Sequence, residues 1–327
     1  VAAAGDILLH MPVMDSARTA DGSFDFDPLF DGVREVISAA DLAICHQETP
    51  IARSDAEISG HPLFNAAPAI APALKAAGFD ACAATSNHSI DQGFDGVVAT
   101  LDALDAAGLD HTGTGRTAEE QAEAALYDVE GVAVGHLAYT YGYNDNLRPA
   151  EAPWLSDLVF PEVGADRVLA DAAALRDRGA EFTIVSIQWG AEYQQTPTAE
   201  QRKWARLLLG SPDVDLVLGD HVHVIQPCQR MGGKYVHYGM GNLLSNQSPD
   251  VGLLPSTKDG AVVTYEVEER APGAFEVTSM TFTPTVVTQP GHRIELATPR
   301  RHARSYERTV AAMTALGPEA CDAEPTS

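Results

Sequence analysis

Apolar runs of strand length recur along this chain, and each hands over to a polar residue with ligand or acid–base chemistry. Asp6 follows residues 1–5, His46 and Glu48 follow residues 41–45, and Asn87 and His88 follow residues 81–86. Gln188 closes residues 182–187, and His221 and His223 follow residues 214–220. Helical periodicity fills the intervals. Asp27-Pro28 opens a helix to about Ala40, with Asp27 as cap and Pro28 at the first helical position. Pro68 opens another that ends near Gly78. Gly93 to Ala107 reads as a third, with Val97, Leu101 and Leu104 on one face and Gly108 as its stop. A fourth runs from Pro161 to Arg178 and ends at Gly179. Thr198-Ala199-Glu200-Gln201 is a capping box for a fifth, through Leu209. Strand and helix alternating over most of the length predict an α/β fold. There the carboxyl ends of parallel strands line one crevice, so residues far apart in sequence converge.

Beyond His223 the pattern changes. Residues 235–238, 261–267 and 275–283 alternate or are β-branched, with Gly and Pro between them, and predict antiparallel strands. Thr298-Pro299 opens a C-terminal helix to about Leu316, followed by a loose tail from Gly317. The expected organisation is one principal domain over residues 1–297, then a helix and tail over 298–327. Two long polar loops, residues 51–64 and 142–160, stand near strand ends as natural substrate walls or lids.

Composition narrows the classes. The 327 residues are 45% hydrophobic, enough for one large core. No apolar run reaches about 18 residues, the length of a membrane span. The chain opens inside its first strand, so a front segment is expected before Val1. A formal net charge of -25, from 21 Lys+Arg against 46 Asp+Glu, argues against nucleic acid as a partner. It argues equally against direct contact with an anionic membrane surface. The four cysteines have no C-x-x-C spacing. Cys45 and Cys82 lie in apolar runs and read as buried free thiols. Cys228 and Cys321 lie in polar, loop-like contexts and are expected to form a disulfide, which implies an oxidising compartment.

Asp, Glu, Asn and His at strand ends are the ligand vocabulary of a hydrolytic metal centre. In His221-Val222-His223, an extended backbone would put both imidazoles on one side. Asp220 beside them is placed to orient an imidazole, as metal-bound histidine requires.

The ordered set of motifs resembles the calcineurin-like metallophosphoesterases. More closely it resembles the CapA (PgsA-like) family of capsule and poly-γ-glutamate synthesis proteins. The residues that carry it are Gly5-Asp6-Ile7-Leu8-Leu9-His10, Gln47-Glu48-Thr49-Pro50 and Ser86-Asn87-His88-Ser89-Ile90-Asp91-Gln92-Gly93. Gln188-Trp189-Gly190-Ala191-Glu192-Tyr193, Gly219-Asp220-His221-Val222-His223 and Tyr238-Gly239-Met240-Gly241-Asn242 complete it. The resemblance implies a four-layer α/β/β/α metallophosphoesterase-like sandwich holding one or two divalent metals (Mn, Zn or Fe). Asp6, Glu48 and His223, helped by His10, would hold one. Glu48, Asn87 and His221 would hold the other, with Glu48 bridging. His88 matches the histidine that protonates a leaving group.

Two positions depart from the family pattern. Gln188 stands where relatives commonly carry His, and a neutral amide is a weaker ligand. His46 stands where many have an apolar residue, and is a candidate substitute ligand. Asn242 reads as a loop organiser and His237 as structural.

The resemblance implies a metal-dependent hydrolase-type protein acting on a phosphoester or a γ-glutamyl or peptide-related substrate. Arg and Lys are scarce around the motifs, with only Arg18, Arg53 and Arg148 to nominate. A second reading is a non-catalytic surface factor that binds an anionic polymer during synthesis or export, alongside a membrane-bound synthase complex. A third is metal-assisted epimerisation, with His88 or His46 moving the proton. The implied location is extracellular or at the cell surface, with an anchor upstream of Val1.

Overall fold

A computed structural model describes residues 1–123, 125–159 and 164–326. Its strands are β1 (Ala2–Ile7), β2 (Ala43–Gln47), β3 (Ala81–Ala83), β4 (Asp110–Thr112), β5 (Ala125–Val129) and β6 (Val132–Tyr139). Then come β7 (Phe182–Gln188), β8 (Leu216–Asp220), β9 (Cys228–Met231), β10 (Lys234–His237) and β11 (Asn242–Leu244). The last are β12 (Asp259–Ala271), β13 (Ala274–Thr288), β14 (Arg293–Leu296) and β15 (Glu324–Pro325).

They form two sheets. The first has the order β14-β13-β12-β1-β2-β3-β4, with β11 also on β1 and β15 on β13. The second has the order β5-β6-β7-β8-β10-β9. β1 to β4 run parallel, as do β6, β7, β8 and β10.

The period of two along each strand builds the layers, because successive side chains leave opposite faces. On β1 and β2, Ala2, Ala4, Ala43 and Cys45 join a core under the helices that include Ile70–Ala77 and Gly93–Ala107. Ala3 and Ile44 face the other way. They enter a core shared with Val134, Phe182, Ile184, Leu216 and Leu218 of the second sheet. The opposite faces of β6, β7 and β8 present Leu137, Tyr139, Val185, Ile187 and Val217. These pack under the Gly164–Asp177 and Ala199–Leu209 helices. Three apolar cores thus separate four layers, helix, sheet, sheet, helix, as the resemblance implied.

Local ends follow the sequence closely. Gly78 and Gly108 stop their helices in the left-handed conformation. Thr198 and Gln201 form the reciprocal capping box. Gly5 is required by close approach: a Cβ there would lie 2.0 Å from the Gly241 carbonyl oxygen. The same carbonyl accepts from the Asp6 amide at 2.9 Å, so the missing side chain lets β1 deliver Asp6 against the 238–242 loop.

Several expectations are corrected. The helix expected over residues 27–40 is two short pieces, Asp27–Phe30 and Arg34–Ser38. Between them Gly32 packs so tightly on the Ile294 carbonyl that a Cβ would come within 2.3 Å. The C-terminal helix is Ala303–Met313, shorter at its start, because a turn closed by the Thr298 amide on the Arg301 carbonyl precedes it. The fourth helix is described from Gly164, and its expected start at Pro161 lies outside the described residues. β10 pairs parallel to β8 and antiparallel only to β9.

The cysteines also differ. Cys45 and Cys82 are not free thiols: they face each other in register on β2 and β3 and form a disulfide. Cys228 and Cys321 form the expected one. The tail is docked rather than loose. The Arg230 backbone N–H donates to the Ala320 carbonyl, Tyr235 Oη donates to Asp322, and β15 pairs with β13. No helix among the described residues is long and apolar enough to cross a membrane.

The Cys228–Cys321 bridge closes a sequence separation of 93 residues. Cys321→Ser is therefore expected to cost about 2–4 kcal/mol of stability. It should also expose the tail to protease before the body unfolds. An unchanged thermal midpoint and an uncut tail would contradict this.

Candidate metal centre

Asp6, at the end of β1, is the hub. Its Oδ1 accepts from His46 Nδ1 at 2.8 Å and from the His221 backbone N–H at 3.3 Å. Its Oδ2 accepts from His223 Nδ1 at 2.9 Å. Asp6 is buried, and burial works to raise its pKa. The hydrogen bonds from His223 and His46 outweigh this and hold the carboxyl below its ordinary value.

His46 has a different place from the one expected of a ligand. Its Nδ1 faces the Asp6 carboxylate, and its Nε2 lies 3.2 Å from the Thr85 carbonyl oxygen. Both partners are acceptors, an arrangement that favours a proton on each ring nitrogen. Burial opposes that charge, but Asp220, Asp6 and Glu48 around it raise its pKa to about 10. In this arrangement both ring nitrogens are engaged. Asp220 stands behind it, with Oδ2 4.0 Å from His46 Nδ1 and Oδ1 without a partner. Burial pushes Asp220 up to about 8. Its contact with an imidazole is to the His46 ring, beside the two histidines it was expected to orient.

His223 Nδ1 also reaches Asn242 Oδ1 at 3.1 Å, which leaves Nε2 as its free nitrogen. That nitrogen lies 3.7 Å from Glu48 Oε1. Burial lowers the His223 pKa, but Glu48 and Asp6 outweigh it and raise it to about 9. Glu48 lies just beyond β2, 1% exposed, and neither carboxylate oxygen has a hydrogen-bond partner in the protein. Burial pushes it up to about 7. His221 Nδ1 is likewise buried and unpartnered, and burial holds the ring neutral, with its pKa lowered to about 3.

The two histidines do not lie in an extended segment. β8 ends at Asp220, and His221 and His223 take φ values of 89° and 57°. Left-handed backbone at non-glycine residues is costly, and both histidines adopt it. The rings still converge, with centroids 6.0 Å apart.

Asn87 and Gln188 clamp each other across the two sheets. Gln188 Oε1 accepts from the Asn87 amide at 2.6 Å and from Thr140 Oγ1 at 2.9 Å. Its Nε2 donates to Asn87 Oδ1 at 3.0 Å. His88 Nδ1 donates to Asp91 Oδ2 at 2.7 Å. Asp91 also accepts from the Phe64 amide and from Asn146 Nδ2, so the dyad is fixed. Phe64 sets its ring edge-on to both His88 and His10, at 4.7 and 5.2 Å. His10 precedes the Met11–Ser16 helix without a side-chain capping bond, its Nδ1 at 3.2 Å from the Leu8 carbonyl, and burial lowers its pKa to about 4.

Oxygen and nitrogen atoms of Asp6, Glu48 and His223 lie within 4.8 Å of one another, as do those of Asp6, His46 and Asp220. A third such group is Glu192, His221 and His223. The donor chemistry of carboxylate and imidazole fits Mn, Fe or Zn. The orphaned Glu48 oxygens and His221 Nδ1 are what a cation would satisfy.

Sequence reasoning assigned no role to Asp91, Glu192, Tyr141 or Thr140. Asp91 was legible as the i+3 neighbour of His88, and Glu192 as part of the Trp189-Gly190 motif. Tyr141, whose ring packs 4.4 Å from His221, carries no local signal. Asn242 does act as an organiser: its Nδ2 donates to the Thr257 carbonyl and Gln247 Oε1.

Comparisons with known proteins identify the family and the fold. The family model described as bacterial capsule synthesis protein PGA_cap matches residues 1–247. The PGA biosynthesis protein CapA of Bacillus subtilis (strain 168) is 26% identical over 265 residues, covering 77% of this chain and 64% of that protein. A probable polyglutamine synthesis accessory protein of Mycobacterium tuberculosis is 27% identical over 217 residues, covering 64% of this chain and 57% of that protein. The chain therefore spans less than two thirds of the length of either relative. A hypothetical protein from Thermus thermophilus shares the fold, at 16% identity and a TM-score of 0.51 over 88% of this chain and 99% of that one.

Removing the hub leaves His223 Nδ1 without its carboxylate and His46 Nδ1 with only the more distant Asp220 oxygen at 4.0 Å. In metal-free protein, Asp6→Ala is expected to lower unfolding free energy by about 3–5 kcal/mol. Urea denaturation under chelator measures this, and a loss below about 1 kcal/mol would contradict the hub role.

Proposed function

The chain belongs to the bacterial capsule synthesis protein family PGA_cap, and we propose that it is a divalent-metal-dependent hydrolase-type protein of poly-γ-glutamate or capsule metabolism. The observation that carries this reading is the set of buried donors without partners, both oxygens of Glu48 and Nδ1 of His221. A buried polar atom left unsatisfied costs about 1–3 kcal/mol, and a charged one more, so a structure retains such a set for a ligand.

Asp6, Glu48 and His223 would hold one cation. Glu48, Asn87 and His221 would hold a second. Bound metal supplies Lewis acidity and a bound water acidic enough to ionise near neutral pH. The chain's own residues do the rest. Asp6 fixes His223 through Nδ1 and leaves Nε2 for the cation. Gln188 fixes Asn87. Asp91 holds the His88 proton at Nδ1, so Nε2 is the atom that delivers a proton to the leaving group.

An amide-type substrate, such as a γ-glutamyl linkage in an anionic polymer, is supported over a phosphate monoester. Among the described residues, no Lys or Arg forms a hydrogen bond or ion pair with Asp6, Glu48, His88, His221 or His223. The three nominated arginines are engaged elsewhere. Arg18 and Arg53 pair with Asp15 and Asp95, and Arg148 donates to the Ser156 carbonyl. An extracellular or surface location is supported by the two disulfides. A membrane-bound synthase would be the partner there.

One observation favours the accessory-factor reading: Gln188 spends its side chain on Asn87 and Thr140. The epimerase reading loses one of its two proton carriers, because both nitrogens of His46 are engaged.

The test is cleavage of a γ-glutamyl anilide and of poly-γ-glutamate by Mn2+-loaded protein, with and without chelator. His88→Ala is expected to lower kcat by about 10²–10⁴ at unchanged metal content. Polymer output in cells carrying this variant should fall with it. Normal output would favour the accessory factor, since the change spares every proposed ligand.

A further inference from the structure

We propose that Glu192 supplies the carboxylate ligand of the second metal position, taking over the role that residue 188 does not fill here. This rests on the hydrolase-type reading above and specifies one of its two sites.

Gln188 is closed to a metal by its own bonds. An amide oxygen has two lone pairs, and those on Gln188 Oε1 face the Asn87 backbone N–H at 2.6 Å and Thr140 Oγ1 at 2.9 Å, the nearer of that hydroxyl's two acceptors, the other being the Gly142 carbonyl at 3.1 Å. Its nitrogen has no lone pair to give and donates to Asn87 Oδ1. Gln188 therefore positions Asn87 and leaves the second position one donor short.

Glu192 stands where that donor is needed. One of its carboxylate oxygens lies within 4.8 Å of ring nitrogens of both His221 and His223. His223 has only Nε2 to offer, because Nδ1 is held by Asp6 and Asn242. That nitrogen faces Glu48 and belongs to the first position. His221 is thus the natural partner of Glu192. Its Nδ1 is an independent sign of a ligand, being buried with no hydrogen-bond partner.

The backbone aims Glu192 at this spot. Gly190 and Tyr193 flank it with φ of +88° and +64°. That is a sharp turn after β7, adopted at the second position by a residue with a side chain. The Tyr193 N–H donates to the Val222 carbonyl at 2.8 Å, tying the turn to the residue between the two histidines. Tyr193 Oη is held in turn by Gln247 Nε2.

An anionic carboxylate binds Mn, Fe or Zn more strongly than a neutral amide. Glu192 is exposed, whereas Glu48, Asp6 and His223 are buried. The second position is therefore the one open to solvent and the more easily emptied of the two.

The experiment is Mn2+ titration by calorimetry, with electron paramagnetic resonance of the loaded protein. It compares wild type with Glu192→Gln, Glu192→His and Glu200→Gln, the last removing another exposed carboxylate nearby. Wild type is expected to bind in two events and give an exchange-coupled two-metal signal. Glu192→Gln should weaken the second event at least about 10-fold and abolish the coupled signal, with the first event unchanged. Glu192→His should restore both, and Glu200→Gln should match wild type. Two undisturbed events and a coupled signal in Glu192→Gln would overturn the inference alone. A wild-type chain that takes up a single Mn2+ would overturn it and leave a one-metal hydrolase standing. A chain that takes up none would overturn both.

Discussion

Burying carboxylates together is the constraint on which this structure turns. Asp6, Glu48 and Asp220 are each at most 2% exposed and lie around one point. Among the described residues the rings of His46 and His223 lie within ion-pair distance of them. The remaining buried imidazole of the group, His221, is held neutral. Unpaired charge in a low-dielectric interior is costly, and a bound divalent cation is the largest local charge a protein can recruit against it. The raised pKa values of Glu48 and Asp220 express the same imbalance, since burial without a full complement of cations favours their neutral forms.

The fold exists to hold that imbalance in place. Both parallel runs of strands end at the same edge of the sandwich. The Asp6 bond to the His221 amide and the Asn87 bond to Gln188 stitch the two sheets there. The edge withstands the strain of left-handed backbone at His221 and His223 because both rings are tied to rigid strand ends or packed against aromatic rings. Behind it, one disulfide links β2 to β3 and another ties the C-terminal tail to β9.

Much of this was legible in the sequence, for local reasons. A strand buried on both faces is a short apolar run. The polar residue that ends it must find a partner, so Asp6, Glu48, Asn87, Gln188, His221 and His223 could be named from pattern alone. The capping box at Thr198 and the stops at Gly78 and Gly108 are equally local. What could not be read depends on partners distant in the chain. The helix after Asp27 breaks because Gly32 meets Ile294. Cys45 and Cys82 looked like separate apolar thiols because nothing local states that their strands pair in register. That His46 sets its second nitrogen toward the Thr85 carbonyl also depends on a distant partner. Glu192 stood inside a quoted motif, but its approach to His221 and His223 depends on the turn at Tyr193 and could not be read locally.

The most direct measurement is anomalous diffraction at the manganese edge from crystals grown with Mn2+. A strong peak bounded by Asp6, Glu48 and His223 is the expected result, with a second beside His221. A refined map with no anomalous density among these residues, and with Glu48 hydrogen-bonded to protein instead, would contradict the claim that the buried carboxylates are there to hold a cation.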